Sequence, residues 1–99
     1  MNERDIRNKP NCRIGLIGAR KNKGLTQKQL ADKIHVSRSL INLLELGECG
    51  ASQEIWLMLK KELMSRSVEE LWRRYNYKDG YFIDDEGNKI KDYSLESGK

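Results

Sequence analysis

The sequence predicts an all-α domain of five short helices with a β-hairpin at its C-terminal end. From Asn11 to about Tyr75 the apolar residues recur at the spacing of amphipathic helices. Capping and helix-terminating residues divide this region into short segments, as expected for a compact helical core with short connections. Farther on, in Tyr81–Tyr93, two short β-favouring runs surround an Asp-Glu-Gly-Asn segment, a pattern that is typical of a hairpin.

These patterns divide the chain into four parts. Residues 1–11 are polar and are interrupted by Pro10, so we expect a flexible basic arm. Residues 12–76 contain the predicted helices, and residues 77–93 contain the hairpin. Residues 94–99 are expected to form a disordered tail.

The first predicted helix runs from Cys12 to Asn22 and is ended by Gly24. Its internal residues Gly15 and Gly18 destabilise a helix by about 1 kcal/mol each relative to alanine. This helix therefore depends on tertiary contacts for its stability.

The second predicted helix begins with a capping box. The Thr26 hydroxyl can accept a hydrogen bond from the backbone amide of Gln29, and the Gln29 side chain can accept one from the backbone amide of Thr26. The helix extends to about Ile34, and its apolar face carries Leu30, Ala31 and Ile34.

A turn of only three residues separates this helix from the next one. His35 occupies a position where a helix end often needs a positive φ, which glycine adopts most easily and histidine tolerates. Ser37 can then cap a third helix, which ends at Gly47. Two helices joined by so short a turn form a helix-turn-helix.

The third helix, residues 37–46, has two chemically different faces when it is wound at about 100° per residue. The predicted core face carries Leu40, Ile41 and Leu44. The opposite face carries Arg38, Ser39 and Asn42, with Leu46 among them and Leu43 on the flank. Arginine can bond guanine, asparagine can bond adenine, and serine can bond a base or a phosphate, so this face suits the major groove of DNA. An ordinary solvated helix face has the same composition and is the alternative interpretation.

Two further serines predict the last helices. Ser52 precedes a segment whose apolar residues have helical spacing: Ile55, Trp56, Leu59 and Leu63. Ser67 and Glu70 form a second capping box, which begins a short fifth helix that contains Trp72. We expect both tryptophans to lie in the core.

The predicted hairpin must cover another surface, because an isolated two-stranded hairpin is only marginally stable in water. Its apolar residues are Tyr81, Phe82, Ile83 and Ile90. They can cover the fifth helix of the same chain, so that the hairpin only caps its own domain. They can equally contact a second copy of the chain, so that the hairpin is a dimerisation element.

The composition argues against several classes of protein. The net charge of +4 attracts a polyanion only mildly. One histidine and two isolated cysteines, Cys12 and Cys49, provide no metal-ligand spacing, so we expect no metal and no other cofactor. We expect no enzyme, because activated nucleophiles and carboxylate pairs in apolar settings are missing. The charged N-terminus and the lack of a long apolar run predict a cytoplasmic protein with no membrane partner.

The segment GLTQKQLADKIHVSRSLINLLELG, residues 24–47, resembles the helix-turn-helix of the phage Cro/repressor family, also called the XRE family. The Gly-Leu-Thr-Gln start, the Leu30–Ala31 pair, the Val-Ser turn and the Glu45–Gly47 end align without a gap. The resemblance extends more loosely to about Leu71. It implies a five-helix, lambda-repressor-like DNA-binding domain and a transcriptional regulator of phage or mobile-element type. By family habit such a regulator is a repressor, and it binds double-stranded DNA as a homodimer.

The resemblance also implies roles for particular residues. Gln27 would contact a phosphate, and Lys28 would help to hold the DNA backbone. The residues that would approach base edges or nearby phosphates are Ser37, Arg38, Ser39 and Asn42, and Leu43 stands where some members of the family use a polar base-contacting residue. Arg20 and Glu45 would form a salt bridge that supports the motif.

Three features depart from the family pattern. His35 stands in place of the usual turn glycine, and Leu43 and Leu46 replace residues that are generally polar. The basic loop after the recognition helix is here Glu-Cys-Gly-Ala-Ser, so Glu48 would repel a phosphate and weaken binding to every DNA sequence alike.

The sequence leaves three interpretations of Leu43: contact with a thymine methyl, a protein-binding patch shared with Leu46, or packing into the core. The second of these defines the alternative function. It is a protein-interaction module on the same fold, which would bind a regulator or a toxin through Leu43, Leu46 and the hairpin.

Overall fold

The computed structural model describes residues 11–76, 80–84 and 88–90. Residues 1–10 of the arm predicted over 1–11, residues 77–79, 85–87 and 91–93 of the predicted hairpin, and the predicted tail over 94–99 lie outside the described residues. In chain order, the elements are β1 (Asn11–Cys12), α1 (Ile14–Asn22), α2 (Gln27–Ile34), α3 (Arg38–Leu46), α4 (Gln53–Leu63), α5 (Glu69–Trp72), β2 (Arg74–Asn76) and β3 (Tyr81–Ile83). The five predicted helices and the C-terminal β structure are thereby confirmed.

Local hydrogen bonds fix the beginning and the end of α2. The Thr26 hydroxyl accepts from the Gln29 amide at 3.0 Å, and Gln29 Oε1 accepts from the Thr26 amide at 2.9 Å, so the predicted capping box is confirmed. His35 has a φ of 62°, the left-handed conformation that the turn requires. Ser37 Oγ then accepts from the Leu40 amide at 3.1 Å and begins α3.

The five helices surround one apolar core. The fully or almost fully buried residues of this core include Leu16, Leu30, Ile34, Ile41, Leu44, Trp56, Leu59, Leu63 and Leu71. Trp72 packs against the core while remaining partly buried. The apolar periodicity that predicted the helices thus also identified the faces that pack together.

The first helix begins later than its pattern predicts. Cys12 does not belong to the helix but to β1, together with Asn11, the last residue of the predicted arm. The backbone amide of Arg13 donates to the Glu45 carbonyl at 2.9 Å, and Asn11–Cys12 pairs with β2. Pairing with residues far along the chain holds this segment extended, and helical periodicity cannot detect such pairing.

The β structure forms a three-stranded antiparallel sheet with the order β1-β2-β3. It begins at Arg74, before the residues predicted for the hairpin, because Arg74 pairs with Ile83 and Asn76 with Tyr81. Farther on, Ile83 forms a bridge with Lys89, while residues 85–87, at the centre of the predicted turn, lie outside the described residues. Ile83 is buried, so the sheet covers part of its own domain.

The fifth helix is a single turn whose first residue follows Val68 rather than Ser67. Ser67 Oγ accepts from the Glu70 amide at 3.4 Å, which corresponds to one half of the predicted capping box. This helix crosses α1 at Gly15, where any Cβ would overlap the carbonyl oxygen of Glu70. The helix-weakening glycine of α1 is therefore explained by the close approach of α5.

Candidate nucleic-acid interface

The outward face of α3 is polar at its N-terminal end. Ser37, Arg38 and Ser39 are exposed, and Asn42 is half-buried one turn after Arg38. Leu43 continues the exposed face and keeps 38% of its surface accessible. Four of the predicted DNA-contacting residues therefore lie at the cap and in the first half of α3, followed directly by Leu43, and Asn42 contacts Gln27 at the start of α2.

Leu43 and Leu46 differ in their exposure to solvent. Leu46 is only 4% exposed, so its predicted place on the outward face is wrong. The helical wheel missed this because β1 lies against the end of α3 and covers a side that a lone helix would expose. Because Leu43 is exposed, its interpretation as a core residue is also wrong. The proposed protein-binding patch of Leu43 and Leu46 thus loses one of its two leucines.

An ion pair joins α1 to α3. Arg20 Nε donates to Glu45 Oε2 at 2.6 Å, and Arg20 Nη2 donates to Glu45 Oε1 at 3.2 Å. Arg20 Nη1 also donates to the Leu25 carbonyl at 2.8 Å. Glu45 is 1% exposed, and this two-bonded geometry is the one in which a buried carboxylate and an arginine compensate each other best. The Arg20–Glu45 pair that the family resemblance implies is present.

Gln27 extends this network towards the exposed face. Its side-chain nitrogen Nε2 donates to Glu45 Oε1 at 3.0 Å and to Asn42 Oδ1 at 3.3 Å. Gln27 is the first residue of α2 and is half-buried. Its side chain therefore lies against α3, which sequence reasoning did not anticipate.

Lys28 lies on the exposed surface of α2. Its ammonium group forms an ion pair with Asp32 one turn later, at 3.2 Å, and both side chains are largely exposed. Such exposed pairs contribute little to stability, so Lys28 can exchange this partner for another anion at little cost.

Arg13 holds the C-terminal end of α3. Its side chain is 1% exposed. Nη1 donates to the carbonyls of Leu44 at 2.9 Å and Cys49 at 2.7 Å, while Nε donates to the carbonyl of Trp72 at 2.7 Å. The guanidinium also lies 5.2 Å from the centre of the Trp56 ring. Arg13 thus joins the end of α3, the loop after it and the end of α5.

Sequence reasoning did not identify this role of Arg13. The only available signal was that helix ends leave carbonyls without intrahelical partners, which a nearby arginine can satisfy. Because Arg13 and Trp72 are 59 positions apart, the sequence could not indicate which helix end would receive the arginine.

The loop after α3 lacks basic residues of its own, but two arginines from elsewhere in the chain lie beside it. An open cavity of about 230 Å³ is lined by Arg13, Arg74 and the segment from Gly47 to Gly50. Glu48, which the sequence places near a phosphate, is exposed and lies at this cavity. Positive charge from β2 and from the start of α1 therefore lies beside the loop where the family usually carries its own basic residues.

The described residues contain no metal site, no disulfide and no membrane-spanning helix. Residues 11–76, 80–84 and 88–90 contain no cluster of three or more potential metal-ligating side chains. Cys12 is buried and Cys49 half-buried, and neither forms a disulfide. None of the helices over these same ranges is long and apolar enough to cross a bilayer.

The comparison with protein families gives one match. A family model described as helix-turn-helix matches residues 17–63, from within α1 to the end of α4. Neither the curated proteins nor the solved structures provide a significant match to the chain. The matched region includes all of α2 and α3, and so all the candidate DNA-contacting residues.

Proposed function

Residues 17–63 belong to the Cro/repressor-type (XRE) family of helix-turn-helix domains, and we propose that the chain is a sequence-specific transcriptional repressor of phage or mobile-element type. The domain is of a DNA-binding, regulatory family. The observation that carries the proposal is the exposed polar N-terminal end of α3, a helix that packs against α1, α2 and β1.

In this proposal α3 lies in the major groove. Arg38 is the residue suited to bond guanine, and Ser39 can bond a base or a nearby phosphate. Asn42 lies one turn farther along and reads a further base. Leu43, exposed beside them, is suited to contact a thymine methyl, since an apolar side chain can recognise that group.

Backbone contacts come from the start of α2 and from the turn. The first amides of α2, including those of Gln27 and Lys28, point away from the helix and suit a phosphate, which the helix dipole also attracts. The Lys28 ammonium and the Ser37 hydroxyl, both exposed, supply further donors. The basic residues of the arm, which lie outside the described residues, would add to this sequence-independent attraction.

Repression follows from occupancy, since a protein bound in the major groove of a promoter excludes other proteins from the same DNA. We propose that two copies bind together, so that two α3 helices reach half-sites about one turn of DNA apart. The contact between copies would use α5 and the hairpin, whose residues Tyr81 and Phe82 remain partly accessible. Sedimentation equilibrium tests this proposal: the mass should be twice 11.6 kDa at micromolar concentration, and a single-chain mass would contradict it.

The direct test of DNA recognition is a selection of genome fragments with purified protein at near-physiological salt. One sequence motif should be enriched, and affinity for it should fall steeply as salt rises. Arg38→Ala should weaken this binding, whereas Arg66→Ala should not, because Arg66 lies in the α4–α5 connection rather than in α2 or α3. Absence of any enriched motif would contradict the proposal.

The alternative function, a protein-interaction module, loses Leu46, which is buried, and retains the exposed Leu43 and the partly accessible hairpin residues Tyr81 and Phe82. A module of this kind would bind DNA weakly and without sequence preference. Its partner would be lost on Leu43→Asp, and its binding would depend little on salt.

A further inference from the structure

The network around Glu45 determines how the two amide side chains, Gln27 and Asn42, are oriented. Glu45 is paired with Arg20 through both carboxylate oxygens. A carboxylate in such a pair only accepts hydrogen bonds. The atom of Gln27 that lies 3.0 Å from Glu45 Oε1 must therefore be the nitrogen, which donates.

The orientation of Gln27 then determines that of Asn42. The same Gln27 nitrogen lies 3.3 Å from the Asn42 side chain, so Asn42 must present its oxygen, Oδ1, towards it. The charges of Arg20 and Glu45 therefore determine which atom donates and which accepts in each hydrogen bond of this network, as far as Asn42. No other assignment of the two amides satisfies all four side chains.

Gln27 has no donor left for DNA in this arrangement. A glutamine amide nitrogen carries two hydrogens, and Glu45 and Asn42 accept one each. The remaining polar atom, Oε1, is an acceptor, as are the oxygens of a phosphate, so the two cannot bond. Any phosphate contact of Gln27 must use its backbone amide, and its side chain acts as a positioning residue.

Asn42 is left with one polar atom that can face DNA. Its Oδ1 is directed into the junction of α2 and α3, and its Nδ2 has no hydrogen-bond partner among the residues that the structure describes. A freely rotating asparagine reads adenine with both atoms, since Oδ1 accepts from N6 and Nδ2 donates to N7. Asn42 offers only the donor.

We propose that the hydrogen bond from Gln27 leaves Asn42 able only to donate a hydrogen bond to a base, so that the base opposite Asn42 is guanine in preference to adenine. Guanine presents two acceptors in the major groove, N7 and O6, whereas adenine presents one acceptor beside an amino group that Asn42 cannot satisfy. This inference rests on the proposed function, and it adds the base preference of one position in the site.

The test uses DNA duplexes that differ only in the base read by Asn42. That base is identified first, as the position where Asn42→Ala abolishes the preference of the selected motif. Wild-type protein should bind the guanine duplex on the order of tenfold more tightly than the adenine duplex. Gln27→Met, which keeps the side-chain length but removes the amide, should free Asn42 and reverse or abolish this preference.

Gln53→Met is the matched control, because Gln53, like Gln27, is the first residue of a helix and follows a capping hydroxyl residue, Ser52 in place of Thr26. It should leave the guanine preference unchanged, and circular dichroism should show that both variants are folded. Adenine preferred by wild-type protein, or an unchanged preference in Gln27→Met, would overturn the inference while leaving the proposed function intact. Failure of the wild-type protein to select any motif would overturn both.

Discussion

The two ends of α3 differ in solvent exposure and in polarity. The N-terminal end is exposed and polar, with Ser37, Arg38 and Ser39 facing outward. The C-terminal end is buried: Leu46 is covered, and Arg13 bonds the carbonyls of the last turn and of the loop beyond it. This contrast agrees with the proposed function, in which one end of the helix contacts DNA while the other end fixes the position of the helix. Substitutions should therefore separate into effects on folding and effects on binding.

The largest effect on folding is expected from Arg13→Met. The change removes a buried guanidinium and leaves the carbonyls of Leu44, Cys49 and Trp72 without this donor. We expect the free energy of unfolding to fall by about 3–5 kcal/mol, measured by urea denaturation. A loss below about 1 kcal/mol would mean that the end of α3 does not depend on this arginine.

Gly47→Ala should be the next most damaging change. Gly47 ends α3 with a φ of 74°, and a Cβ there would overlap the carbonyl oxygen of Asn11 in β1. Strain and displacement of β1 together should reduce stability by about 2–3 kcal/mol.

Gly18→Ala is the matched control for this change. Gly18 is helical, and a Cβ at this position would meet nothing within 4 Å. The substitution should raise stability by about 0.5–1 kcal/mol, because alanine favours the helix. If both glycine substitutions destabilised the protein equally, the proposed contact of β1 with the end of α3 would not be the cause.

Arg38→Ala should affect binding and leave folding almost unchanged. Arg38 is exposed, so the free energy of unfolding should change by less than about 0.5 kcal/mol. Loss of a bidentate contact with guanine should weaken specific binding by about 1–3 kcal/mol, measured by fluorescence anisotropy with a labelled duplex. Equal weakening on selected and scrambled duplexes would show that Arg38 contacts only phosphate.

The smallest expected effect concerns Leu43 and one methyl group. Replacing the relevant thymine of the site by uracil removes the methyl and should weaken wild-type binding by about 0.8 kcal/mol. Leu43→Ala should bind the two duplexes equally, because its side chain no longer reaches the methyl. If the replacement of thymine by uracil weakened the binding of Leu43→Ala as much as that of the wild-type protein, another residue would make the methyl contact.

The sequence predicted the features that depend on neighbouring residues. The capping box of Thr26 and Gln29, the left-handed His35 and the Ser37 cap all form within a few positions, so residue type is enough to identify them. The Arg20–Glu45 pair spans more of the chain, and only the resemblance to a family predicted it.

The features that the sequence did not predict depend on distant pairing. β1 exists because Asn11–Cys12 meets Arg74–Asn76, and neither segment has a strand-like pattern of its own. The burial of Leu46 follows from this sheet, since β1 lies against the end of α3. The contact of Gln27 with Asn42 likewise depends on how α2 crosses α3, which helical periodicity leaves open.

The division of α3 into a reading end and a fixed end is tested most directly by one ratio. This is the affinity for the selected site divided by the affinity for a scrambled duplex, measured at near-physiological salt in wild-type protein and in folded Arg38→Ala. The ratio should be on the order of a thousand or more in wild-type protein, and it should fall about tenfold or more in the variant. A wild-type ratio near one, or a ratio that Arg38→Ala leaves unchanged, would contradict the assignment of sequence recognition to this end of α3.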